Sequence, residues 1–427
     1  MNAAETRAHA AREVDGSYSW TLVALLWVAA FVNSAGRSVP IAVMPQLREQ
    51  FELSLTQLAL VNSAFFWVYA PAAFVAARLG ERARRSRVIV GGLLLWSVAT
   101  GLVSLATGFA SLVALRAMVA LTEANYYPAS TALISDWHWG GTRSWALSIH
   151  QTAVFAGAAI GALGAGLVAD QLGWNTPFLV LASLGLFYCI FLRRRLRDAP
   201  VRSLGAGHAA ETVVCEPIRT VLRRRPALYL CAVFFLATGA SAGVWVWAPT
   251  FVHDAHRVGL ATAALYGTAM PALAGLLFVP FGGFLADLLA RRTPLGRFYT
   301  LAIGLALAGA LLLPLAATSS ALGVGLVLLA SAAGKALFDG SIYAAMHDVV
   351  PPEARATAVG LMTMAGFCGA GLTPIFVAEA SKLLGTVGGM ASLALLYFAA
   401  VALVMAIRSA ARRTILETRL YEGVGTP

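Results

Sequence analysis

The chain has 427 residues, 59% of them hydrophobic and only 12% charged, with a formal net charge of +11 and a mean hydropathy of +0.76. A water-soluble surface cannot carry that balance, so a soluble enzyme or binding module is excluded and a polytopic protein of the lipid bilayer is expected. The positive charge does not point to nucleic acid, because the arginines sit almost wholly beside helix ends, where they set orientation and meet anionic headgroups.

Residues 1–18 are polar and read as a disordered tail. Each crossing of a bilayer takes about 20 mostly apolar residues, and helices satisfy every backbone polar group within the segment. Apolar runs near 20–45, 56–79, 87–107, 110–135, 144–169, 174–193, 226–252, 262–289, 297–317, 320–348, 355–382 and 387–409 predict twelve transmembrane helices. The first run is too long for a cleavable signal, contains Arg37, and is followed by Pro40 and Pro45 rather than a small-residue cleavage site. No spanning segment is expected to be missing.

Alternate connections differ sharply in charge. Arg82, Arg84, Arg85 and Arg87 share one, Arg193 to Arg195 with Arg223 to Arg225 another, and Arg291 with Arg292 a third. The positive-inside rule places these loops and both termini in the cytoplasm. The organisation expected is a cytoplasmic tail (1–18), a six-helix bundle (19–193), a basic linker (194–225), a second six-helix bundle (226–410) and a C-terminal tail (411–427). Cys189, Cys231 and Cys368 fall inside spans and Cys215 in a loop, which suggests neither a disulfide framework nor a metal site. No cofactor is expected.

Three charges interrupt the first six runs. Each costs at least roughly 3 kcal/mol at the centre of a spanning helix, so it is retained only beside a partner, a ligand or water. Arg37 lies among Asn33, Ser34, Gly36 and Ser38, a small and polar stretch suited to lining a path. Arg116 and Glu123 are two helical turns apart, hence on one face about 10 Å apart along the axis. An arginine there can hold a carboxylate through two parallel hydrogen bonds, and a glutamate in a low-dielectric cavity can carry a proton. The alternative is that Glu123 neutralises an arginine of another helix as a buried staple.

Span ten carries Lys335 and Asp339 at i and i+4, readable as an intrahelical ion pair or as a substrate contact. The five charges together leave one formal positive, which a monocarboxylate would balance. His150 in span five could titrate as well, or could be a satisfied helix-to-helix donor. Phe65, Phe66, Trp67, Tyr126 and Tyr127 would suit an aromatic acid by stacking, although most such rings only pack helices.

A weak internal repeat links the halves. The loop after span two reads Gly80-Glu81-Arg82-Ala-Arg84-Arg85, and the one after span eight reads Gly283-Phe-Leu-Ala-Asp287-Leu-Leu-Ala-Arg291-Arg292. The second resembles the loop signature of the major facilitator superfamily. Asn33 to Pro45, Arg116 with Glu123-Ala124 and Pro128-Ala129, Gly173-Trp174 with Phe178, Trp247-Ala-Pro249-Thr250-Phe251, Asp348 with Pro351, and Gly360, Gly366, Gly369 and Pro374 resemble the anion:cation symporter family within it.

That resemblance implies two six-helix bundles rocking around a midplane site and import of a small organic anion such as a sugar acid or aromatic acid, coupled to protons, by a monomer of the inner membrane. It implies that Arg37 and Arg116 bind the carboxylate, that Glu123 moves the proton, and that Tyr69, Gln151, Tyr343 and Thr363 line the cavity. It further implies a cytoplasmic latch of Asp287 and Arg292 with a degraded Glu81 and Arg85 counterpart, stabilising the outward-facing state. Gly36 departs from the family, which usually has an aspartate there that takes part in proton coupling. Coupling then rests on Glu123 alone or gives way to facilitated diffusion or exchange.

Other readings are weaker, the runner-up within transport being efflux or exchange of an organic anion. Organophosphate exchange would want an arginine in span seven, and none lies between Leu228 and Val252. A cationic-drug exporter would want excess carboxylate in the cavity, a ligand sensor would want a signalling domain, and no Ser/His/Asp set or phosphate loop indicates an enzyme.

Overall fold

The computed structural model describes residues 3–80, 84–138, 142–199, 215–351 and 354–421. In the first half the helices are α1 (Ala3–Ala42), α2 (Met44–Gln50), α3 (Leu55–Gly80), α4 (Arg85–Val103), α5 (Phe109–Glu123), α6 (Tyr126–Trp137), α7 (Arg143–Leu172) and α8 (Thr176–Arg195). The second half has α9 (Cys215–Arg223), α10 (Arg225–His256), α11 (Leu260–Ala264), α12 (Met270–Arg292), α13 (Gly296–Leu312), α14 (Ala321–Asp339), α15 (Ile342–Val349), α16 (Arg355–Ala391), α17 (Leu393–Ala406) and α18 (Arg408–Tyr421).

Among the described residues nine helices are long and apolar enough to cross a membrane by themselves, and α17 with α18, bent by 50°, makes a tenth. The helix α3 and the broken pair α5 and α6 run with them, which completes twelve spans of an all-α, multi-pass membrane protein. Large apolar side chains such as Phe187, Phe284 and Leu395 point outward, as a lipid-facing surface requires. Helix α1 already begins at Ala3, so the polar stretch expected as a disordered tail is helical where it is described.

Small residues set the packing. A Cβ at Gly161 of α7 would lie 2.5 Å from the Cα of Ala35 on α1, and Gly157 meets Phe31 and Ser34 one turn away. In the second half Gly239 and Gly243 of α10 meet Thr373 of α16, and Gly369 of α16 meets the carbonyl of Phe235. Spans one and five thus pack as spans seven and eleven do, backbone against backbone, where dispersion rather than hydrophobicity holds helices together.

Spans four and ten, expected as continuous helices, are both broken. Pro128 has no N–H to bond the carbonyl of Ala124, and the helix interrupts at Ala124–Asn125, directly after Glu123. Span ten breaks at Gly340–Ser341, directly after Asp339, where Gly340 lies against the backbone of Val279 and Gly283 on α12. Span eight opens with α11 and a π-helical turn, Leu265–Ala269, whose Gly267 presses on Pro249 of α10. Pro271 denies Gly267 its usual partner, which favours the wider turn.

Polar contacts pin the halves together at the end opposite the arginine-rich loops. Asp170 at the end of α7 accepts hydrogen bonds from the N–H groups of Leu260 (2.9 Å) and Ala261 (3.1 Å), capping α11 across the interface. Thr56 donates to Glu379 (2.7 Å), and Arg48 reaches Asp254 at 3.4 Å. At the basic end the ion pairs seen among the described residues lie inside each half. Arg85 pairs with Asp136, and Arg297 holds both Asp348 (2.6 Å) and Asp287 (2.9 Å).

The close glycine contacts predict a graded response. Gly161→Val should destabilise the protein by about 1–3 kcal/mol through overpacking, read as a lowered melting temperature in detergent. Gly164→Val, where nothing lies within 4 Å, should leave the melting temperature unchanged.

Candidate functional site

The charges of the first half converge. Arg37 from α1 and Glu123 from α5 form an ion pair through Nε and Oε1, with the carboxylate side chain 1% exposed and the guanidinium 23% exposed. Arg116, one face of α5 and two turns earlier, is 3% exposed, and its Nε is buried without a hydrogen-bond partner. Its guanidinium carbon sits 4.8 Å from the centroid of the Phe65 ring. Arg37 lies over Tyr69 at 4.7 Å and over Phe65 at 5.6 Å. Two cations therefore share one aromatic ledge on α3, which offers each the negative face of a ring but no full charge.

Glu123 thus answers Arg37 rather than Arg116. As a helix-to-helix pair it is the staple that the sequence left open, and it leaves Arg116 as an excess buried positive charge. Asn33, one turn before Arg37 on α1, is buried with its amide nitrogen unpartnered and stands beside the carboxylate.

The ledge extends across the two halves. Phe65 stacks on Tyr69 (5.5 Å between centroids), Tyr69 on Phe367 of α16 (5.0 Å), and Phe66 faces Phe367 at 6.1 Å and Trp245 of α10 at 6.4 Å. The helical spacing of Phe65, Phe66 and Tyr69 marks one face of α3. Nothing in the sequence around Phe367 or Trp245 distinguishes them from other packing aromatics.

The remaining predicted residues fall into three groups. Gln151 accepts a hydrogen bond from the hydroxyl of Tyr127, which is exposed and lies within electrostatic reach of Tyr343, Tyr69 and Arg37. Tyr343, also exposed, stands beside Thr363 and packs against Phe234 at 6.0 Å. His150 is fully buried. The Tyr126 hydroxyl donates to the Leu26 carbonyl (2.6 Å), so the ring Nε2 at 3.2 Å is the donor to that oxygen and ties α7 through α6 to α1, while the ring Nδ1 is buried with no hydrogen-bond partner among the described residues.

Lys335 and Asp339 do pair within α14, Nζ to Oδ1 at 2.6 Å. Of the loop residues, Glu81 and Arg82 lie outside the described residues. Arg85 joins Asp136, Arg291 and Arg292 are exposed, and Asp287 is held by Arg297 rather than Arg292. Gly283 sits where α12 crosses the break after Asp339. The acid's partner is the arginine that opens the next span, because that side chain points back at both Asp287 and Asp348 while Arg291 and Arg292 face away.

A family model described as Major Facilitator Superfamily matches residues 26–374. The chain belongs to that superfamily. It is 26% identical over 324 residues to a probable sulfoacetate transporter of Cupriavidus necator, covering 72% of this chain and 74% of that one. It is 23% identical over 276 residues to a hexuronate transporter of Bacillus subtilis, covering 64% of this chain and 65% of that one. A crystal structure of a bacterial homologue of the human lysosomal transporter Spinster, inward-facing and occupied, superposes with a TM-score of 0.81 at 20% identity, covering 94% of this chain and 98% of that one. That likeness establishes the fold.

Removing one member of a buried ion pair strands the other charge. Glu123→Leu should destabilise by about 3–5 kcal/mol, while the double change Arg37→Met with Glu123→Leu should recover most of it. Thermal unfolding of the three proteins in detergent measures the difference.

Proposed function

We propose that the protein is a secondary transporter that imports a small organic anion, a carboxylate, together with a proton across the inner membrane by alternating access. One observation carries this reading. Arg116 is a buried cation with an aromatic neighbour, an unpartnered Nε and, among the described residues, no carboxylate in ion-pair contact, because Glu123, although within electrostatic reach, is engaged by Arg37. A buried charge without a counter-ion is costly, and an anionic cargo supplies the missing one.

Arg116 takes the carboxylate, bidentate where the fork can align. Arg37 shares the load when Glu123 is protonated, since the proton cancels the pair's negative member and frees the guanidinium. Binding of anion and proton then support each other: each relieves a charge that the other leaves exposed. Tyr69, Tyr127 with Gln151, and Tyr343 with Thr363 present hydroxyl and amide groups to the rest of the cargo. The relatives' names, sulfoacetate and hexuronate transporters, agree with an anion.

With the arginine-rich loops and both termini in the cytoplasm, the contacts of Asp170, Thr56 and Arg48 close the outer end and the structure is the inward-facing state. Residues 19–193 and 226–410 are the two rocking bundles, acting as a monomer. Asp287, Arg297 and Asp348, with Arg85 and Asp136, stiffen the cytoplasmic ends of their own bundles in this state.

In proteoliposomes, Arg116→Ala should abolish uptake of the transported acid, and full uptake would remove this residue from binding. Glu123→Gln should abolish accumulation driven by an inside-alkaline gradient while exchange of internal for external acid persists. Gradient-driven accumulation by Glu123→Gln equal to that of the native protein would place the proton elsewhere.

A further inference from the structure

Each half of the molecule carries an ion pair whose carboxylate, Glu123 or Asp339, directly precedes the break in its fourth span. The register that sets Arg297 against Arg85, and Asp348 against Asp136, sets Lys335 against Glu123. In the second half Lys335 and Asp339 sit within span ten (Ala321–Val349), whereas the other intrahelical pair of this half, Glu379 with Lys382 of α16, is exposed at the end where Thr56 meets it.

The pair makes a poor staple. Arg37 and Glu123 tie two helices together, whereas Lys335 and Asp339 belong to the same helix and join nothing. An i, i+4 pair adds about 0.5 kcal/mol to a helix at most, against at least roughly 3 kcal/mol for each charge brought into a spanning segment. Retention of such a pair calls for something beyond helix stability.

The two members are also unequally placed. The Lys335 side chain is 9% exposed, lies 5.0 Å from the Phe338 ring, and has Asp339 Oδ1 as its one hydrogen-bonded carboxylate oxygen, although an ammonium has three donors. Asp339 is 39% exposed, so its carboxylate can turn to water without moving the helix. The ionisable groups around it are Lys335, Tyr343 one turn on, and Tyr397 of α17. Tyr343 in turn reaches Tyr127 and, through it, the Arg37 and Tyr69 side of the cavity.

We propose that Lys335 is a second anion anchor, linked to the first-half arginines through the neighbouring Tyr343 and Tyr127, that Asp339 is its exchangeable placeholder, and that the preferred cargo carries two anionic groups. The inference rests on the anion-transport reading given above. One anionic group goes to Arg116 and the other replaces Asp339 on Lys335, an exchange of one anion for another that never leaves the ammonium bare. A cargo with a single carboxylate gains only the first contact.

The test is binding to the purified full-length protein, by titration calorimetry in detergent, of matched acids: glucarate against gluconate, and malonate and sulfoacetate against acetate. In the native protein a diacid should bind at least tenfold more tightly than its monoacid partner. Lys335→Gln should bring that ratio to near one while monoacid binding changes less than twofold, and Asp339→Asn should tighten diacid binding. Should Lys335→Gln fail to fold, the charge-neutral double change with Asp339→Asn must show the same loss of preference.

Absence of a diacid preference in the native protein overturns the proposal, as does a Lys335 variant that weakens both members of a pair equally or neither. Arg116→Ala separates the two readings. If it leaves monoacid binding intact while Lys335→Gln still removes the diacid preference, the first-half site fails and the second stands. If none of the acids binds, both fail.

Discussion

The architecture depends on how five charges are held in a medium that solvates none of them. Glu123 is ion-paired to Arg37 and Asp339 to Lys335, while Arg116, among the described residues, has the face of Phe65 and the field of Glu123 without an ion-pair contact. Aromatic faces are worth about 0.5–2 kcal/mol to a cation, less than the cost of burying it, so the first half holds an unbalanced positive charge by construction. The surrounding packing exists to make that tolerable. Backbone contact at Gly157 and Gly161 brings α1 and α7 together so that Arg37 is delivered to α5, and the α3 ledge fills the space between the two guanidinium groups.

The same constraint explains where the helices break. A helix interrupted beside a charge frees backbone groups that can turn toward water or a ligand, which is tolerated at membrane depth only where the segment is covered by protein or lines a cavity. Both interruptions follow a carboxylate or its pair, at Ala124 and at Gly340. Pro128 causes the first and the close approach of α12 the second, so two unrelated local devices have produced equivalent discontinuities in the two halves.

The ends of the molecule divide their work differently. At one end the polar contacts that cross between halves are a capping aspartate, a threonine and an exposed ion pair, none of which is worth more than about 1–2 kcal/mol, beside the close packing of α3 on α16 and of α7 on α11. At the other end the stronger, part-buried Arg297 network stays within one half.

Composition and hydropathy by themselves determined an all-α membrane protein of twelve spans, because continuous apolar runs of about 20 residues cross lipid as helices that satisfy their own backbone polar groups. The charged residues announced the site for the same reason: Arg37, Arg116, Glu123, Lys335 and Asp339 are conspicuous wherever polarity is expensive. Partnership was not legible, since it depends on which helices lie side by side. Only the tertiary structure decided that Glu123 pairs with Arg37 and leaves Arg116 without an ion-pair contact, that Asp287 is held by Arg297, that His150 donates to Tyr126 through Nε2, and that Phe367 and Trp245 close the ledge from the other half. Apolar and aromatic residues carry no such mark, because in a chain this hydrophobic a ring that lines a cavity and a ring that meets lipid look alike until the fold places them.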